Sequence, residues 1–351
     1  MKLKIAIMNG DDIGTEIVPM AKLVLTETLR SLGYSIELID LPIGKLAHSK
    51  YGDTLPEYTT SQLNEVHGII CGPIGHNNYP RNNSTWKMPP IRKKFELYAA
   101  IRPAKSYSDS KNIDIIFVRE LTEGLQSTDT IVGGYPEFRP NEEITIASRV
   151  ITRKGSNRVA KAAFDIAVSK NRSKVTAAHK EPLFRLSCGM FLEECVKVSK
   201  EYPSISYEDA LIDTTAMHLV SNPESFDVVV TTNQFGDILS DIGAGLIGSI
   251  GMAPGLCLGD NIAMAQATHG SAPDIAGKNI ANPYAMIMST SMLLSWMGSK
   301  YNEEKLIVAS NIIEESTLEV IKERKYLTAD IGGKASTVDM TNAIIEKVKT
   351  K

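Results

Sequence analysis

Val228-Val-Val-Thr-Thr-Asn-Gln-Phe-Gly-Asp237-Ile-Leu-Ser-Asp241-Ile-Gly243-Ala-Gly245-Leu-Ile-Gly248 is the stretch on which the fold assignment turns. It opens with a β-branched run, predicted as a strand over 226–231, and continues with apolar residues at helical spacing, predicted as a helix over 235–247. Its last residues spell G-x-G-x-x-G. That pattern is a dinucleotide fingerprint only in the turn that directly joins a strand to a helix. Here about a dozen residues of helical pattern stand between the strand and the first glycine. The glycines therefore read as small residues that allow close helix packing rather than as a phosphate loop.

Outward from this stretch, strands are predicted over 5–8, 35–39, 68–71, 113–118, 143–151 and 174–177. Helices are predicted over 157–168, 190–200, 207–220, 283–297, 303–325 and 336–349. Strands alternating with helices indicate an α/β protein with a largely parallel core sheet. Asn9-Gly-Asp-Asp-Ile-Gly14 reads as a ligand-facing loop after the first strand. Ile17, Met20, Ala21, Val24 and Leu25 recur at helical spacing after it, and Pro19 is expected in the first helical turn. The last hundred or so residues show helices and no convincing strand beyond short pieces. They need an earlier sheet to pack on, so the C-terminal part is expected to return to the first domain.

At ~100–200 residues per domain, 351 residues suggest two domains. The formal charge, 38 − 41 = −3, excludes a dominantly basic nucleic-acid binder and a highly charged disordered chain. The four cysteines, Cys71, Cys188, Cys195 and Cys257, form no C-x-x-C pair and read as reduced and buried. No apolar run approaches the ~18 residues of a membrane helix. The apolar part of Met1-Lys-Leu-Lys-Ile-Ala-Ile-Met8 is too short for a signal peptide. A cytoplasmic protein with no membrane or nucleic-acid partner is expected.

Three clusters carry chemistry. Asp237 and Asp241 are spaced i, i+4, so a helix puts both carboxylates on one face, where they repel. A divalent cation with oxygen ligands would resolve that conflict, and Asp213 is a third candidate ligand. The alternative, a solvated acidic face, fits poorly with the apolar and small residues around them. Arg92, Arg102 and Arg119 form the second cluster. Guanidinium groups bind carboxylates bidentately, so convergent arginines suit a di- or tricarboxylate substrate, with ordinary surface arginines as the alternative. Arg119 follows a strand, at the edge where α/β proteins bind ligands. The third is Ala265-Gln-Ala-Thr-His269-Gly-Ser-Ala-Pro-Asp274, followed by Asn282-Pro283. Its small residues let a ligand approach the backbone, and Asp274 can accept hydrogen bonds from ribose hydroxyls. Asn282 reads as an N-cap and Pro283 as the first helical residue. The alternative is an ordinary helix-start loop.

Ile101-Arg-Pro103, Val118-Arg-Glu120, Phe235-Gly-Asp-Ile-Leu-Ser-Asp241 and His269-Gly-Ser-Ala-Pro-Asp-Ile-Ala-Gly277 stand in family order, and nearly the whole chain resembles the isocitrate/isopropylmalate dehydrogenase family. The resemblance implies two interleaved α/β domains and not the usual dinucleotide-binding (Rossmann) fold. Residues 1–97 with 248–351 would form a large cofactor-binding domain, and 98–247 a smaller domain for dimerisation, metal and substrate. It implies a homodimer with shared active sites. Arg92, Arg102 and Arg119 would hold substrate carboxylates, and Asp213, Asp237 and Asp241 would hold Mg²⁺ or Mn²⁺. Lys180 and Asp213 would be catalytic and serve the partner subunit. His269, Gly270, Ser271, Ala272, Asp274 and Asn282 would hold the cofactor. The reaction implied is hydride transfer from a 2-hydroxy acid, then loss of CO₂ through an enolate. A cation on the hydroxyl and its carboxylate acidifies the alcohol, and a lysine beside it accepts the proton. NAD rather than NADP is expected, because Asp274 would repel a 2′-phosphate.

Three departures stand out. Gln126 occupies the place of the family's tyrosine, and an amide cannot act as its general acid. Pro182 replaces an asparagine. Ala265-Gln-Ala-Thr268 replaces a stretch that often contains glutamate. Substrate choice in the family depends on the segment before Arg92, here Trp86-Lys-Met-Pro-Pro90. Lys87 suits a third carboxylate, as in isocitrate or homoisocitrate, whereas Trp86 and Met88 suit an alkyl group. The absence of a leucine pair favours the isocitrate type. The alternatives are 3-isopropylmalate of leucine biosynthesis and D-malate or tartrate. A non-catalytic regulatory subunit, suggested by Gln126 and Pro182, is opposed by retention of Lys180, the aspartates and the arginines.

Overall fold

The computed structural model describes residues 3–75, 79, 89–107, 112–125 and 137–351. The chain forms two compact units, Met1–Phe95 with Gly248–Lys351, and Glu96–Ile247. The first unit begins with β1 (Lys4–Met8), α1 (Gly14–Ser31), β2 (Glu37–Asp40), α2 (Gly44–Tyr51), α3 (Glu57–Leu63), β3 (Gly68–Cys71) and the single turn α4 (Ile91–Lys94). β1 pairs in parallel with β2 and β3. Ile5–Met8 and all of β3 are buried, the signature of parallel strands covered on both faces. Gly10 turns the chain after β1 with φ +71°, and a Cβ there would stand 2.4 Å from the Pro73 carbonyl oxygen. Pro19, expected in the first turn of α1, lies in the second, because the helix already starts at Gly14.

The second unit continues with β4 (Ala99–Lys105), β5 (Asp114–Glu120), β6 (Glu137–Asn141), β7 (Ile144–Ala147), α5 (Arg153–Ser169), β8 (Lys174–His179), α6 (Ser187–Ser199), β9 (Ser206–Leu211), α7 (Ile212–Ser221), β10 (Val228–Thr231) and α8 (Asn233–Leu246). Its main strands run in the order β4-β5-β10-β8-β9, with β4 antiparallel to β5 and the other pairs parallel. β6 and β7 form a separate exposed hairpin. The helix expected over 207–220 is half strand. Ser206–Leu211 pairs with β8, and its polar side chains bond sideways, Thr176 to Glu208 at 2.8 Å and His179 to Asp209 at 3.0 Å. Neighbouring-strand contacts override the local helical pattern.

The chain then re-enters the first unit with β11 (Leu256–Leu258), β12 (Ala263–Ala265), α9 (Tyr284–Tyr301), α10 (Glu304–Glu323) and α11 (Thr337–Val348). β12 adds in parallel to β3, and β11 pairs antiparallel with β12.

Gly243-Ala-Gly245-Leu-Ile-Gly248 lies at the end of α8 and just beyond it. A Cβ at Gly243 would meet the Phe117 ring at 2.5 Å, whereas one at Gly245 would meet nothing within 4 Å. Close packing on β5 is what Gly243 provides. Gly243→Val should therefore cost about 1–3 kcal/mol as an overpacked contact, and Gly245→Ala should be near neutral. Equal thermal midpoints for the two variants would contradict this.

Glu123, after β5, is buried and accepts the Thr152 amide at 3.0 Å and its hydroxyl at 2.6 Å, just before α5. Gly155 leaves room for this carboxylate, which a Cβ would approach to 2.6 Å. Burial pushes the Glu123 carboxyl up to about 7, and the nearby Glu120 adds to the rise. The folded state thus binds this proton more tightly than the unfolded chain. Its contribution to stability is full below pH ~4.3 and is lost as pH rises through about 7. Glu123→Gln should flatten that part of the pH dependence of the thermal midpoint. A variant whose profile parallels that of the wild type would contradict the assignment.

Candidate active site

The antiparallel register of β4 and β5 pairs Arg102 with Phe117 and Ala100 with Arg119, so both arginines project from one face of the sheet. α8 lies against that face. Arg119 is 4% exposed and donates through Nε and Nη2 to Asn233 Oδ1, at 3.1 and 2.7 Å, and through Nη1 to Asp237. Arg102 donates to Asp237 at 3.1 Å and to the Ser240 hydroxyl at 2.7 Å. Asn233 is itself held by donating to the Glu123 carbonyl at 2.8 Å. Gly236 makes this approach possible, since a Cβ there would stand 2.7 Å from the Arg119 side chain.

One turn beyond Asp237, Asp241 has its carboxyl raised above the usual range. Burial is the main cause and the like charge of Asp237 adds to it, while Arg102 and Arg119 oppose. These oxygen donors suit a hard divalent cation, which would relieve the conflict. Asp213 is elsewhere. It sits in the first turn of α7, where Lys180 Nζ lies 2.5 Å from its Oδ1. That hydrogen bond is the main cause holding the Asp213 carboxyl below its usual range. The structure thus joins Arg102, Arg119 and Asp237, and separately Lys180 and Asp213. Among the described residues no three His, Cys, Asp or Glu side chains gather into a metal cage within one chain.

In the first unit, Arg92 on α4 donates to Gln266 Oε1 at 2.6 Å. Lys87, with Trp86 and Met88, and Gln126 lie outside the described residues. Past β12, His269 is 8% exposed, and burial lowers its pKa, keeping the ring neutral. Its Nδ1 lies 2.9 Å from the Gly270 carbonyl oxygen, and its buried Nε2 has no partner among the described residues. With Nδ1 as the donor, Nε2 is an acceptor awaiting a donor. Gly270 and Asp274 are exposed. Ala272 adopts φ +42°, a left-handed conformation costly for a residue with a Cβ. The Ser271 carbonyl accepts the Ile13 amide at 3.1 Å, and the Glu16 carboxylate accepts the amides of Gly277 and of Asn279, the latter at 2.9 Å. Both ends of Asn282 are engaged. Its Oδ1 accepts the Tyr284 amide at 2.9 Å, and its Nδ2 donates to Asp330 at 3.0 Å. Pro283 has helical torsions, and the regular helix begins one residue later.

Asn233, Gln266 and Glu16 are positioning groups that the sequence reading did not assign. Asn233 stood in the decisive stretch, but its partners lie 110 and 114 positions away.

A profile described as isocitrate/isopropylmalate dehydrogenase matches residues 4–348. The chain is 40% identical to a homoisocitrate dehydrogenase of Methanocaldococcus jannaschii, with 99% of each chain covered. It is 36% identical to an isocitrate/homoisocitrate dehydrogenase of Thermus thermophilus over the full length of both. A 3-isopropylmalate dehydrogenase of Sulfurisphaera tokodaii is 38% identical, with 99% of this chain and 100% of the relative covered. The crystal structure of isocitrate dehydrogenase from Methylococcus capsulatus superposes with a TM-score of 0.85 at 34% identity, over 99% of each chain. With its two α/β units and the arginines of β4 and β5 set against the aspartates of α8, the chain belongs to the isocitrate/isopropylmalate dehydrogenase family.

Proposed function

We propose that this protein oxidises a 2-hydroxy tricarboxylic acid of the isocitrate or homoisocitrate type with NAD and a divalent cation, and releases CO₂. The observation that carries the reading is the pair of buried arginines, Arg102 and Arg119, directed at Asp237 beside Asp241. Paired guanidinium groups beside two carboxylates one turn apart suit a carboxylate ligand held together with a cation. The homoisocitrate and isocitrate/homoisocitrate relatives support the substrate class. The 3-isopropylmalate relative, nearly as similar, supports the second reading.

In this reading Arg92, Arg102 and Arg119 hold two carboxylates and Lys87 a third. Asp237 and Asp241 of one chain, with Asp213 of another, hold Mg²⁺ or Mn²⁺. A divalent cation held there would supply polarisation of the hydroxyl and its neighbouring carboxylate, and a bound nicotinamide would supply the hydride acceptor. Lys180 Nζ, released from its bond to Asp213 when that carboxylate turns to a cation, would take the hydroxyl proton as the neutral amine. His269, Gly270, Ser271, Ala272, Asp274 and Asn282 hold the adenosine half of NAD. The unpartnered His269 Nε2 and the exposed Asp274 suit this role. The first unit would be the cofactor domain and the second the domain for substrate, metal and dimerisation.

A homodimer would bring Lys180 and Asp213 of one chain to the aspartates of its partner, which explains why a single chain does not assemble the ligands. Leu183, Leu186, Met217 and Val220 are 71%, 89%, 56% and 67% exposed, apolar area that suits burial against a second copy. Among the described residues all four cysteines are free and buried, and no helix is long and apolar enough to cross a membrane. Free thiols suit a reducing, cytoplasmic setting.

The direct test is a kinetic screen of isocitrate, homoisocitrate, 3-isopropylmalate, D-malate and tartrate with Mg²⁺ or Mn²⁺, read as nicotinamide reduction. The highest kcat/KM should fall on homoisocitrate or isocitrate. A preference for 3-isopropylmalate would shift the substrate to the second reading, and no turnover on any would favour a regulatory subunit.

Excess chelator should abolish turnover. Asp241→Asn should weaken Mn²⁺ at least about tenfold, since even an outer-shell partner of a metal is worth roughly 10–100-fold. Full activity in chelator would overturn the metal assignment. NAD should exceed NADP in kcat/KM by more than about tenfold, the ratio given by about 1.4 kcal/mol of repulsion between Asp274 and a 2′-phosphate. The reverse preference would contradict the role of Asp274.

A further inference from the structure

The arginines assigned to the substrate differ in how their charge is met. Arg102 and Arg119 both donate to the carboxylate of Asp237. Arg92 donates to a neutral amide, Gln266 Oε1, at 2.6 Å, and forms no ion pair with any described residue. Gln266 is 8% exposed and held at its other end, where Nε2 donates to the Gly72 carbonyl at 3.3 Å and lies 3.9 Å from Cys71 Sγ. With the amide nitrogen tied to β3 and the turn after it, the oxygen must face the guanidinium; the flipped amide would set donor against donor. Cys71 adds no negative charge, because burial pushes its thiol up to about 12. The nearby buried carboxylate, Asp11, is engaged by the amides of Lys45 and Gly75 and by the Tyr79 hydroxyl.

We infer that Gln266 is a positioning residue that aims Arg92 while leaving its positive charge uncompensated, so that this neutral amide sets how strongly Arg92 binds a substrate carboxylate. The inference rests on the proposed function for the identity of the ligand. A glutamate at this position would accept the same hydrogen bond but form an ion pair, and an incoming carboxylate would have to compete with it. An apolar side chain would release Arg92 from its orientation without changing its charge.

The test measures the Kd of homoisocitrate by calorimetry with Mg²⁺ present, which needs no turnover, alongside KM and kcat, for wild type, Gln266→Glu and Gln266→Leu. Gln266→Glu should weaken binding by at least about tenfold, chiefly through KM, with the KM for NAD unchanged. Its Kd should also respond less to ionic strength, because one positive charge has been neutralised. Gln266→Leu should lose less affinity and keep the salt dependence of the wild type. Equal losses and equal salt dependence in the two variants would reduce Gln266 to a packing residue and overturn the inference. So would a Gln266→Glu affinity within twofold of wild type. Should Gln266→Glu fail to fold, Arg92→Gln must show the flattened salt dependence, and a dependence as steep as wild type would refute the claim. Wild type that binds but does not turn over would overturn the proposed reaction and leave this inference to the Kd values; wild type that does not bind would overturn both.

Discussion

Arg119 is a buried cation, and the second unit is built so that it is never unpaired. Stranding such a charge costs several kcal/mol, so the residues around it are constrained together. Asn233 accepts two of its hydrogen bonds and Asp237 a third. Gly236 between them lets α8 come close enough to do so, and Gly243 preserves the same close approach two turns later against Phe117. Glu123 links this arrangement to α5, giving its carbonyl to Asn233 and its carboxylate to Thr152. A substitution at either glycine therefore acts on the arginine through the helix.

The same helix carries Asp237 and Asp241 one turn apart, so the scaffold that pairs Arg119 also presents two hard oxygen donors with adjoining positive charge. That combination suits a ligand bearing carboxylates and a hydroxyl, held with a cation. Lys180 and Asp213 pair with each other on other elements of the same unit. In the proposed homodimer, a second copy of the chain would give them a place to act. In the first unit, the loop from His269 to Asn282 is tied to the start of α1 through Ile13 and Glu16 and to Asp330 through Asn282. The loop is thus fastened at several points by its own fold, and it carries one alanine in the left-handed region and one imidazole nitrogen with no partner among the described residues.

Much of this was legible along the chain, and the gaps have physical causes. β3 falls on its expected 68–71, and β1 and β10 are recognisable, because parallel strands buried on both faces leave continuous apolar runs. β4 was missed because Arg102 and Pro103 interrupt its apolar character, β9 because a polar strand mimics a helix face, and β11 and β12 because each has three residues. In the candidate site, the spacing of Asp237 and Asp241 is a local signal and could be read directly. The role of Gln266 could not, because its guanidinium partner lies 174 positions away. Positioning residues whose partners are set by tertiary contact leave no periodicity to detect.

In the proposed function the arginine–aspartate cluster serves an oxidation coupled to loss of CO₂. The most direct measurement of that coupling is the ratio of CO₂ released to nicotinamide reduced, followed together in one reaction with the preferred substrate and Mg²⁺. One CO₂ should appear for each nicotinamide reduced, with both signals lost in chelator. Reduced nicotinamide formed without CO₂ would contradict it.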